Sequence, residues 1–309
     1  MAVILIFLAA ALAAGVNFCL RKNFEKQPSA KGYLAIYFVF SFFVSFLFRR
    51  EFDTDSFSLL MMSSGMVAGT LNLLMMVLVA RALQIGPSGL TFAFQNAGSI
   101  FPALFLYFLF GNAFGFQMDW KLVAGFFCLA LGLFAAVLKP KASCSPNLQE
   151  ASSFQSFPRW LFLALAVFTL QGLILSIFQW RPLLFEYGAE HHLLIPSNIQ
   201  EKHDVWFAPG FFLVPALFQA LIFFVSDKRW FTKNELVLGT AGGILNGGAT
   251  FCLLWAARIA SESFRPILFP FFAVGVIFLC SLWGKKIYGE AIPWLGLLLC
   301  MAGIIMGAL

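Results

Sequence analysis

Charged residues are scarce along the whole chain, and this scarcity excludes a soluble globular protein. Only 11% of the residues are charged and 61% are hydrophobic, whereas soluble domains average about 25% and 45–50%. The apolar runs do not alternate with polar residues, so a membrane β-barrel is not expected either. Helices are the predicted spans because they satisfy their backbone polar groups internally. The 309 residues have room for about ten helices of roughly 20 residues.

Several chemical signatures are also missing. The sequence has no glycine-rich phosphate loop, no paired carboxylates on a helix, no nucleophile elbow and no close pair among its six cysteines. No basic face with interleaved polar surface suggests a nucleic-acid partner, and anionic lipid headgroups account better for the net charge of +6. We therefore expect a protein that is not an enzyme, with no cofactor and no nucleic-acid partner.

A metal site is not expected, although one region contains three histidines. His191, His192 and His203 lie near Glu190 and Asp204. Their spacing matches no known metal motif, so zinc binding remains only an alternative.

Carboxylates are absent from the predicted spans. All 14 acidic residues fall in predicted loops or near span ends. Proton-driven carriers commonly place an Asp or Glu at bilayer depth, where burial raises its pKa. The absence of carboxylates from the predicted spans therefore favours exchange or facilitated transport. A misplaced boundary that brought Glu262 or Glu290 deeper is the alternative.

The apolar runs predict ten spans around a polar mid-chain segment. The predicted spans are 1–20, 33–48, 57–84, 87–110, 120–138, 160–180, 207–226, 236–257, 266–283 and 291–309. Residues 139–159 have the composition of a linker, and 181–206 is predicted to be a polar loop. Residues 1–20 could alternatively be a cleaved signal peptide, although they lack a basic n-region.

The two halves of the chain repeat each other. Residues 65–101 align with residues 242–278 at an offset of 177, with coincident residues Gly65/Gly242, Ala80/Ala257, Arg81/Arg258, Phe92/Phe269, Phe94/Phe271, Gly98/Gly275, Ile100/Ile277 and Phe101/Phe278. Gly125 and Gly132 similarly match Gly296 and Gly303. Because five spans is an odd number, a repeat at 1–138 and a second at 160–309 would enter the membrane from opposite sides. The predicted fold is an all-α membrane protein of ten helices in two inverted five-helix repeats.

The order of short motifs strengthens this prediction. They are Gly15-Val16-Asn17-Phe18, Ala80-Arg81-Ala82, Gly86-Pro87, Phe101-Pro102-Ala103 and Gly289-Glu290. With the duplication, these motifs resemble the drug/metabolite transporter superfamily, and within it the EamA-like ten-helix carriers. Gly115-Phe116-Gln117 departs from the Gly-Glu that the family would have in the first repeat. The resemblance implies a carrier for small organic metabolites with its cavity between the repeats.

Uncharged amides near the span centres are the predicted substrate-binding residues: Gln95, Asn96, Asn72, Gln171, Gln219 and Asn246. In hydrocarbon an amide needs a partner, so each should face the bundle interior, where it could also simply bond a neighbouring helix. Pro102 predicts a helix irregularity close to Gln95 and Asn96.

Aromatic and basic residues supply weaker candidates. Phe94, Phe271 and Trp255 are predicted gate residues, with lipid-facing packing as the alternative. Arg81 and Arg258 end predicted spans, where snorkelling to the headgroups is the usual role. Predicted loops after odd-numbered spans carry more Lys and Arg, which places both termini outside. The family resemblance implies both termini inside, so orientation stays open.

The predicted function is a membrane carrier in a bacterial-type cytoplasmic (inner) membrane. It would move small polar or amphipathic metabolites by alternating access, with amino acids or their derivatives first and S-adenosylmethionine-like nucleoside metabolites second. Its partners would be a small-molecule metabolite and the lipid bilayer. The alternatives are a membrane enzyme that acts on a lipid or isoprenoid-linked substrate through the 181–206 loop, and a helical scaffold or receptor that transports nothing.

Overall fold

A computed structural model describes residues 1–26, 29–47, 56–86, 88–111, 118–138, 157–191, 199–289 and 294–306. Within these ranges the chain is helical and has no strand. The helices are α1 (Ala2–Lys26), α2 (Lys31–Leu47), α3 (Leu59–Ile85), α4 (Ser88–Ala97), α5 (Phe101–Phe110), α6 (Trp120–Leu138), α7 (Phe157–His191), α8 (Phe207–Asp227), α9 (Lys233–Ile259), α10 (Arg265–Tyr288) and α11 (Trp294–Met306).

The lengths and composition of these helices make the chain a multi-pass integral membrane protein. In the described ranges, seven helical segments are long and apolar enough to cross a membrane, and three shorter apolar helices accompany them. Large apolar side chains such as Phe162 and Phe127 are exposed on helix surfaces, where lipid is their natural neighbour. Residues 139–156 of the predicted linker 139–159 lie outside the described residues, and residues 157–159 belong to the start of α7.

The predicted polar loop 181–206 is largely wrong. Helix α7 continues through Pro182 to His191, and residues Glu201–Trp206 form a 3₁₀ helix that leads into α8. A prediction from hydropathy ends a span at the first charged residues. A helix can continue beyond that point, because it needs only satisfied backbone groups and tolerates polar residues at its end. Residues 192–198 lie outside the described part.

The fourth predicted span is broken near its middle, as Pro102 predicts. Helix α4 ends at Ala97, a 3₁₀ turn covers Gly98–Ile100, and α5 begins at Phe101 with the proline in its first turn. Proline has no backbone N–H, so it fits the first turn of a helix better than the interior.

The described helices form two compact units that mix the two sequence halves. Unit 1 contains Met1–Met76 and Ile177–Ile259, and unit 2 contains Val77–Ser176 and Ala260–Leu309. Each unit therefore combines residues from the predicted repeats 1–138 and 160–309. Helices α3 and α7 each contribute residues to both units.

In unit 1, α9 packs closely against α1 and α2. A Cβ added at Gly15 would lie 3.1 Å from Leu245 Cδ1, and one at Gly248 would lie 3.3 Å from Leu12 Cδ1. Residues later in α1 therefore meet residues earlier in α9, so these two helices are antiparallel. On the other side of α9, a Cβ at Gly243 would lie 2.5 Å from the Tyr37 carbonyl oxygen of α2. Only glycine allows these backbones so close together.

The same close approach occurs between α3 and α8. A Cβ at Gly65 would meet the carbonyl oxygen of Phe207, and one at Gly69 that of Phe211. A Cβ at Gly239 would meet the carbonyl oxygen of Tyr33, and one at Gly243 that of Tyr37. The first two contacts correspond to the last two at an offset of 174 residues. This offset aligns Gly65 with Gly239 and Phe207 with Tyr33, and likewise Gly69 with Gly243 and Phe211 with Tyr37.

The helix caps have the same offset. The Ser58 hydroxyl accepts the backbone N–H of Met61 at the start of α3, and the Thr232 hydroxyl accepts that of Glu235 at the start of α9. The predicted alignment of Gly65 with Gly242 is therefore displaced by three residues in these helices. Gly65 and Gly242 share an amino acid but not an equivalent contact.

In unit 2, α6 and α11 pack through reciprocal glycine contacts. A Cβ at Gly132 would lie 2.7 Å from the Gly296 carbonyl oxygen and 2.6 Å from the Cys300 nitrogen. A Cβ at Gly303 would lie 2.6 Å from the Gly125 carbonyl oxygen and 2.5 Å from the Leu129 nitrogen. Late residues of one helix meet early residues of the other, so the pair is antiparallel.

Helices α4 and α7 also pack closely in unit 2. The Trp160 indole nitrogen donates a hydrogen bond to the Thr91 hydroxyl at 3.1 Å, and the Trp160 ring packs edge-on against Phe94. Further along both helices, a Cβ at Gly98 would lie 2.9 Å from the Gly172 nitrogen. The contact advances in the same direction on both helices, which are therefore parallel.

Candidate substrate-binding residues

Asn246 is the predicted amide with the best-defined partner on another helix. Its Nδ2 donates a hydrogen bond to the Ser41 hydroxyl at 3.0 Å, from α9 to α2. The Ser41 hydroxyl lies within hydrogen-bonding distance of the carbonyl oxygens of Tyr37 and Gly243, at 2.9 and 3.0 Å. Asn246 is only half-buried. Its side chain is thus held on one side and partly accessible on the other.

Gln219 on α8 lies in the same unit and is nearly fully buried. Its Nε2 donates to the Lys31 carbonyl oxygen at 3.3 Å, at the start of α2. Its buried Oε1 has no hydrogen-bond partner among the described residues. The Tyr33 hydroxyl and both polar atoms of the Asn23 amide are also buried without one in that part of the chain. Unit 1 therefore holds several uncharged polar groups with unused hydrogen-bonding capacity.

Asn72 and Gln171 are both buried, but they lie in different units. Asn72 is on α3 in unit 1, and Gln171 is on the part of α7 that belongs to unit 2. The Gln171 Cβ would lie 3.2 Å from a Cβ added at Gly98, so Gln171 packs against the 3₁₀ turn.

Gln95 and Asn96 precede that turn on α4. Asn96 is buried, and its Nδ2 donates to the Phe92 carbonyl oxygen of its own helix at 2.7 Å. Gln95 is half-buried. The Asn96 amide thus bonds its own helix, whereas the structural alternative considered from the sequence is a bond to a neighbouring helix.

The predicted gate residues have different surroundings. Phe94 is buried against Trp160, whereas Phe271, its predicted counterpart in the second repeat, is 36% exposed and tilted against Phe264. Trp255 packs edge-on against Phe251 on its own helix α9. Phe94 and Phe271 therefore have different environments, although the sequence alignment pairs them.

The predicted residues are divided between the two units. Unit 1 contains Asn72, Gln219, Asn246 and Trp255, and unit 2 contains Gln95, Asn96, Gln171, Phe94 and Phe271.

The sequence reasoning missed a buried ion pair in unit 1. Arg181 on α7 is 2% exposed, and its Nη1 donates to Oδ1 of Asp204 in the 3₁₀ helix before α8. Its Nη2 donates to the Leu254 carbonyl oxygen of α9 at 2.8 Å. Its Cζ lies 5.3 Å from the centroid of the Phe207 ring. Arg181 thus joins α7 to the 3₁₀ helix before α8 and to the last turns of α9. The sequence reasoning placed Arg181 at the start of the predicted polar loop 181–206 and therefore missed this role.

A second ion pair lies beside the first. Arg258, near the end of α9, pairs with Glu201 of the 3₁₀ helix, and both side chains are largely exposed. Arg258 sits four residues after Leu254, whose carbonyl Arg181 uses. Arg258 therefore has a partner within the protein, and its snorkelling to the headgroups stays a prediction.

A buried carboxylate, Glu235, starts α9 at the opposite end of the helix. It accepts two hydrogen bonds from Arg229, at 2.8 and 2.7 Å, and others from the backbone N–H and hydroxyl of Thr232. Thr232 and Glu235 form a capping box. The bonds to Glu235 raise the pKa of the Arg229 guanidinium above its ordinary value. This cluster is explained as a helix cap.

The histidine region does not form a metal cluster where the structure describes it. Asp204 is engaged by Arg181, and the His203 Nδ1 accepts the Gln200 backbone N–H at 3.0 Å. No group of three potential ligands occurs in the described ranges. His192 and the side chains of Glu190 and His191 lie outside the described residues.

Comparisons with known proteins establish similarity of fold alone. No family model matches the chain, and no curated protein matches it. A solved structure, known only as a crystal structure of a protein, aligns over 99% of this chain and 96% of its own, with a TM-score of 0.60 and 16% identity. This arrangement of helices therefore exists in an experimentally determined protein.

Proposed function

We propose that the chain is a secondary carrier of ten transmembrane helices in two inverted five-helix repeats, as its resemblance to EamA-like carriers implies. It moves small polar or amphipathic metabolites by alternating access, in exchange or down a gradient. Amino acids or their derivatives are the first substrate class and S-adenosylmethionine-like nucleosides the second. The membrane is a bacterial-type cytoplasmic one.

The reciprocal contact between α6 and α11 carries this proposal. The offset that aligns Gly125 with Gly296 also aligns Gly132 with Gly303, and each helix uses the same two positions to meet the other. The contact is therefore its own image under a local twofold rotation. Because the helices are antiparallel, that axis is perpendicular to them and lies in the membrane plane. An in-plane twofold is the symmetry of inverted-repeat carriers.

Unit 1 supports the same symmetry independently. The contact of α3 with α8 and that of α9 with α2 correspond at an offset of 174 residues, down to the individual carbonyl oxygens. Glycine frequency alone does not produce matched partners on matched helices. The duplication is thus supported by packing as well as by sequence.

Polar groups at membrane depth support a solute pathway. Asn246 and Ser41 place amide and hydroxyl groups between two apolar helices, and Gln219 keeps a buried carbonyl without a partner in the described part of the chain. Such groups cost free energy in an apolar environment unless they are paired. Their retention favours a pathway for polar solutes over a purely structural bundle.

Uptake and counterflow into proteoliposomes test this proposal. Purified protein is reconstituted, preloaded with an unlabelled metabolite panel and supplied with each labelled compound outside. A carrier gives transient accumulation of label above equilibrium, driven by the internal pool. The absence of counterflow for every panel member, from protein that is monodisperse and correctly inserted, contradicts the proposal.

Alanine variants separate a carrier from the alternative classes. Loss of transport at Gln95, Asn96 or Asn246 with normal expression supports a carrier. Loss of activity confined to His203, in the 3₁₀ helix before α8, supports a membrane enzyme instead. Ser64, whose hydroxyl donates to the Met61 carbonyl oxygen of its own helix, provides the matched control.

A further inference from the structure

Arg181 is a buried charged residue in an apolar helix. It is 2% exposed and packed over Phe207, in a helix that is otherwise apolar enough to span a membrane. Removing a guanidinium from water is unfavourable, and its ion pair only partly offsets that penalty. In membrane proteins, residues of this kind mark substrate and ion pathways by default.

The guanidinium of Arg181 has hydrogen-bonding capacity left. Nη1 is taken by Asp204 and Nη2 by the Leu254 carbonyl oxygen. Nε is buried and has no hydrogen-bond partner among the described residues. A buried donor left unpaired is unfavourable, because it has lost its hydrogen bonds to water. A carboxylate bound side-on would engage Nε together with an Nη, which is the two-point geometry that arginine favours.

The charges of the pair define the ligand. Arg181 and Asp204 together are neutral, so an added monoanion would leave one net negative charge in the buried site, and a monocation one net positive charge. A zwitterion adds no net charge. Its carboxylate matches the guanidinium, and its ammonium matches the carboxylate of Asp204.

We propose that Arg181 and Asp204 form the binding site for the carboxylate and ammonium groups of a zwitterionic amino acid. This proposal rests on the carrier function proposed above. Without ligand, the two side chains pair with each other and hold α7 to the 3₁₀ helix before α8. With ligand, each pairs with the opposite charge of the amino acid.

Matched ligands test the charge requirement directly. The full-length protein in detergent is heated in the presence of each proteinogenic L-amino acid. Any amino acid that raises the melting temperature is compared with its decarboxylated amine and its deaminated acid, which keep the same side chain. A ligand that binds only the folded state raises the melting temperature. The amino acid should stabilise the protein, and the amine and the acid should not.

Variants of the pair test the two residues. Arg181→Lys keeps the charge but loses the forked geometry, so the apparent Kd for the amino acid should rise roughly tenfold or more. Asp204→Asn should remove the preference for the amino acid over its deaminated acid. Arg258→Lys, which alters the neighbouring exposed pair, should leave binding unchanged. If Arg181→Lys does not yield monodisperse protein, the Asp204→Asn selectivity decides the question.

The proposal is overturned if no amino acid stabilises the protein, if the amine or acid works equally well, or if Arg181→Lys or Asp204→Asn binds with unchanged selectivity. Counterflow keeps this failure separate from failure of the carrier function. Transport of compounds that lack a carboxylate or an ammonium group would preserve the carrier and reject the zwitterion site. Selective amino-acid binding without any transport would do the reverse.

Discussion

The hydroxyl of Ser41 on α2 lies 3.0 Å from the carbonyl oxygen of Gly243 on α9, where the backbones of the two helices are closest. The same hydroxyl accepts the Asn246 amide. One small side chain therefore joins an amide predicted from the sequence to the backbone of both helices.

Ser41→Ala should destabilise the protein by about 1 kcal/mol, because it removes a buried interhelical hydrogen bond and leaves the Asn246 amide without this acceptor. Thermal unfolding in detergent measures the effect. Ser64→Ala is the control, because the Ser64 hydroxyl donates to the Met61 carbonyl oxygen of its own helix. Equal melting temperatures for the two variants would contradict the prediction.

Gly132→Leu should lower the melting temperature strongly, because even a Cβ at this position would overlap backbone atoms of α11. Overpacking of this kind costs about 1–3 kcal/mol or more. Gly303→Leu should have a similar effect, since Gly303 makes the reciprocal contact. Ala130→Leu on the exposed face of α6 should change little. Markedly different effects at Gly132 and Gly303 would argue against equivalent contacts.

Trp160→Phe should cost about 0.5–1.5 kcal/mol, because it removes the hydrogen bond to the Thr91 hydroxyl and retains an aromatic ring beside Phe94. Trp120→Phe is a matched control, since Trp120 is 72% exposed. Chemical or thermal unfolding of both variants provides the comparison. A larger loss at Trp120 would be inconsistent with the contact between α4 and α7.

Arg229→Ala should destabilise the protein by roughly 1–3 kcal/mol, because it leaves the buried Glu235 carboxylate without its charged partner. Glu235→Gln combined with Arg229→Ala should recover part of that loss, since the unpaired charge is then gone. Lys22→Ala, at an exposed ion pair with Glu25, should cost little. A double variant no more stable than Arg229→Ala would contradict this explanation.

An imposed proton gradient should leave the initial rate of counterflow unchanged. The two buried carboxylates in the described ranges, Asp204 and Glu235, each form an ion pair with an arginine, unlike the unpaired carboxylate that a proton-driven carrier commonly places at bilayer depth. The measurement is uptake into proteoliposomes with and without a pH difference at constant membrane potential. Acceleration by the gradient would favour proton coupling, and its loss in Asp204→Asn would identify the carboxylate.

Helix positions could be predicted well from the sequence because they follow from local physics. Long apolar runs predict spans, and Pro102 predicts the break that the 3₁₀ turn at Gly98–Ile100 confirms. The start of α9 carries a capping box at Thr232 and Glu235 that a local motif search could have found.

The site could not be predicted to the same extent. Arg181 and Asp204 are separated by 23 positions, and no local pattern reveals that a buried ion pair joins them. The alignment of Gly65 with Gly242 likewise counted identical letters, whereas Gly65 and Gly239 share the equivalent contact. The equivalent feature of Gly65 and Gly239 is a close approach between helix backbones, which a comparison of residue identities does not detect.

The reciprocal contact between α6 and α11 suggests how such a chain could originate. A surface that pairs with its own rotated copy allows a half-length polypeptide to dimerise without any new contact being invented. Fusion of two copies of its gene would then only have joined the two subunits of an existing dimer into one chain. In the proposed inverted-repeat architecture, a half-length ancestor of this kind inserts in both orientations, which agrees with a sequence whose Lys and Arg residues leave the orientation open.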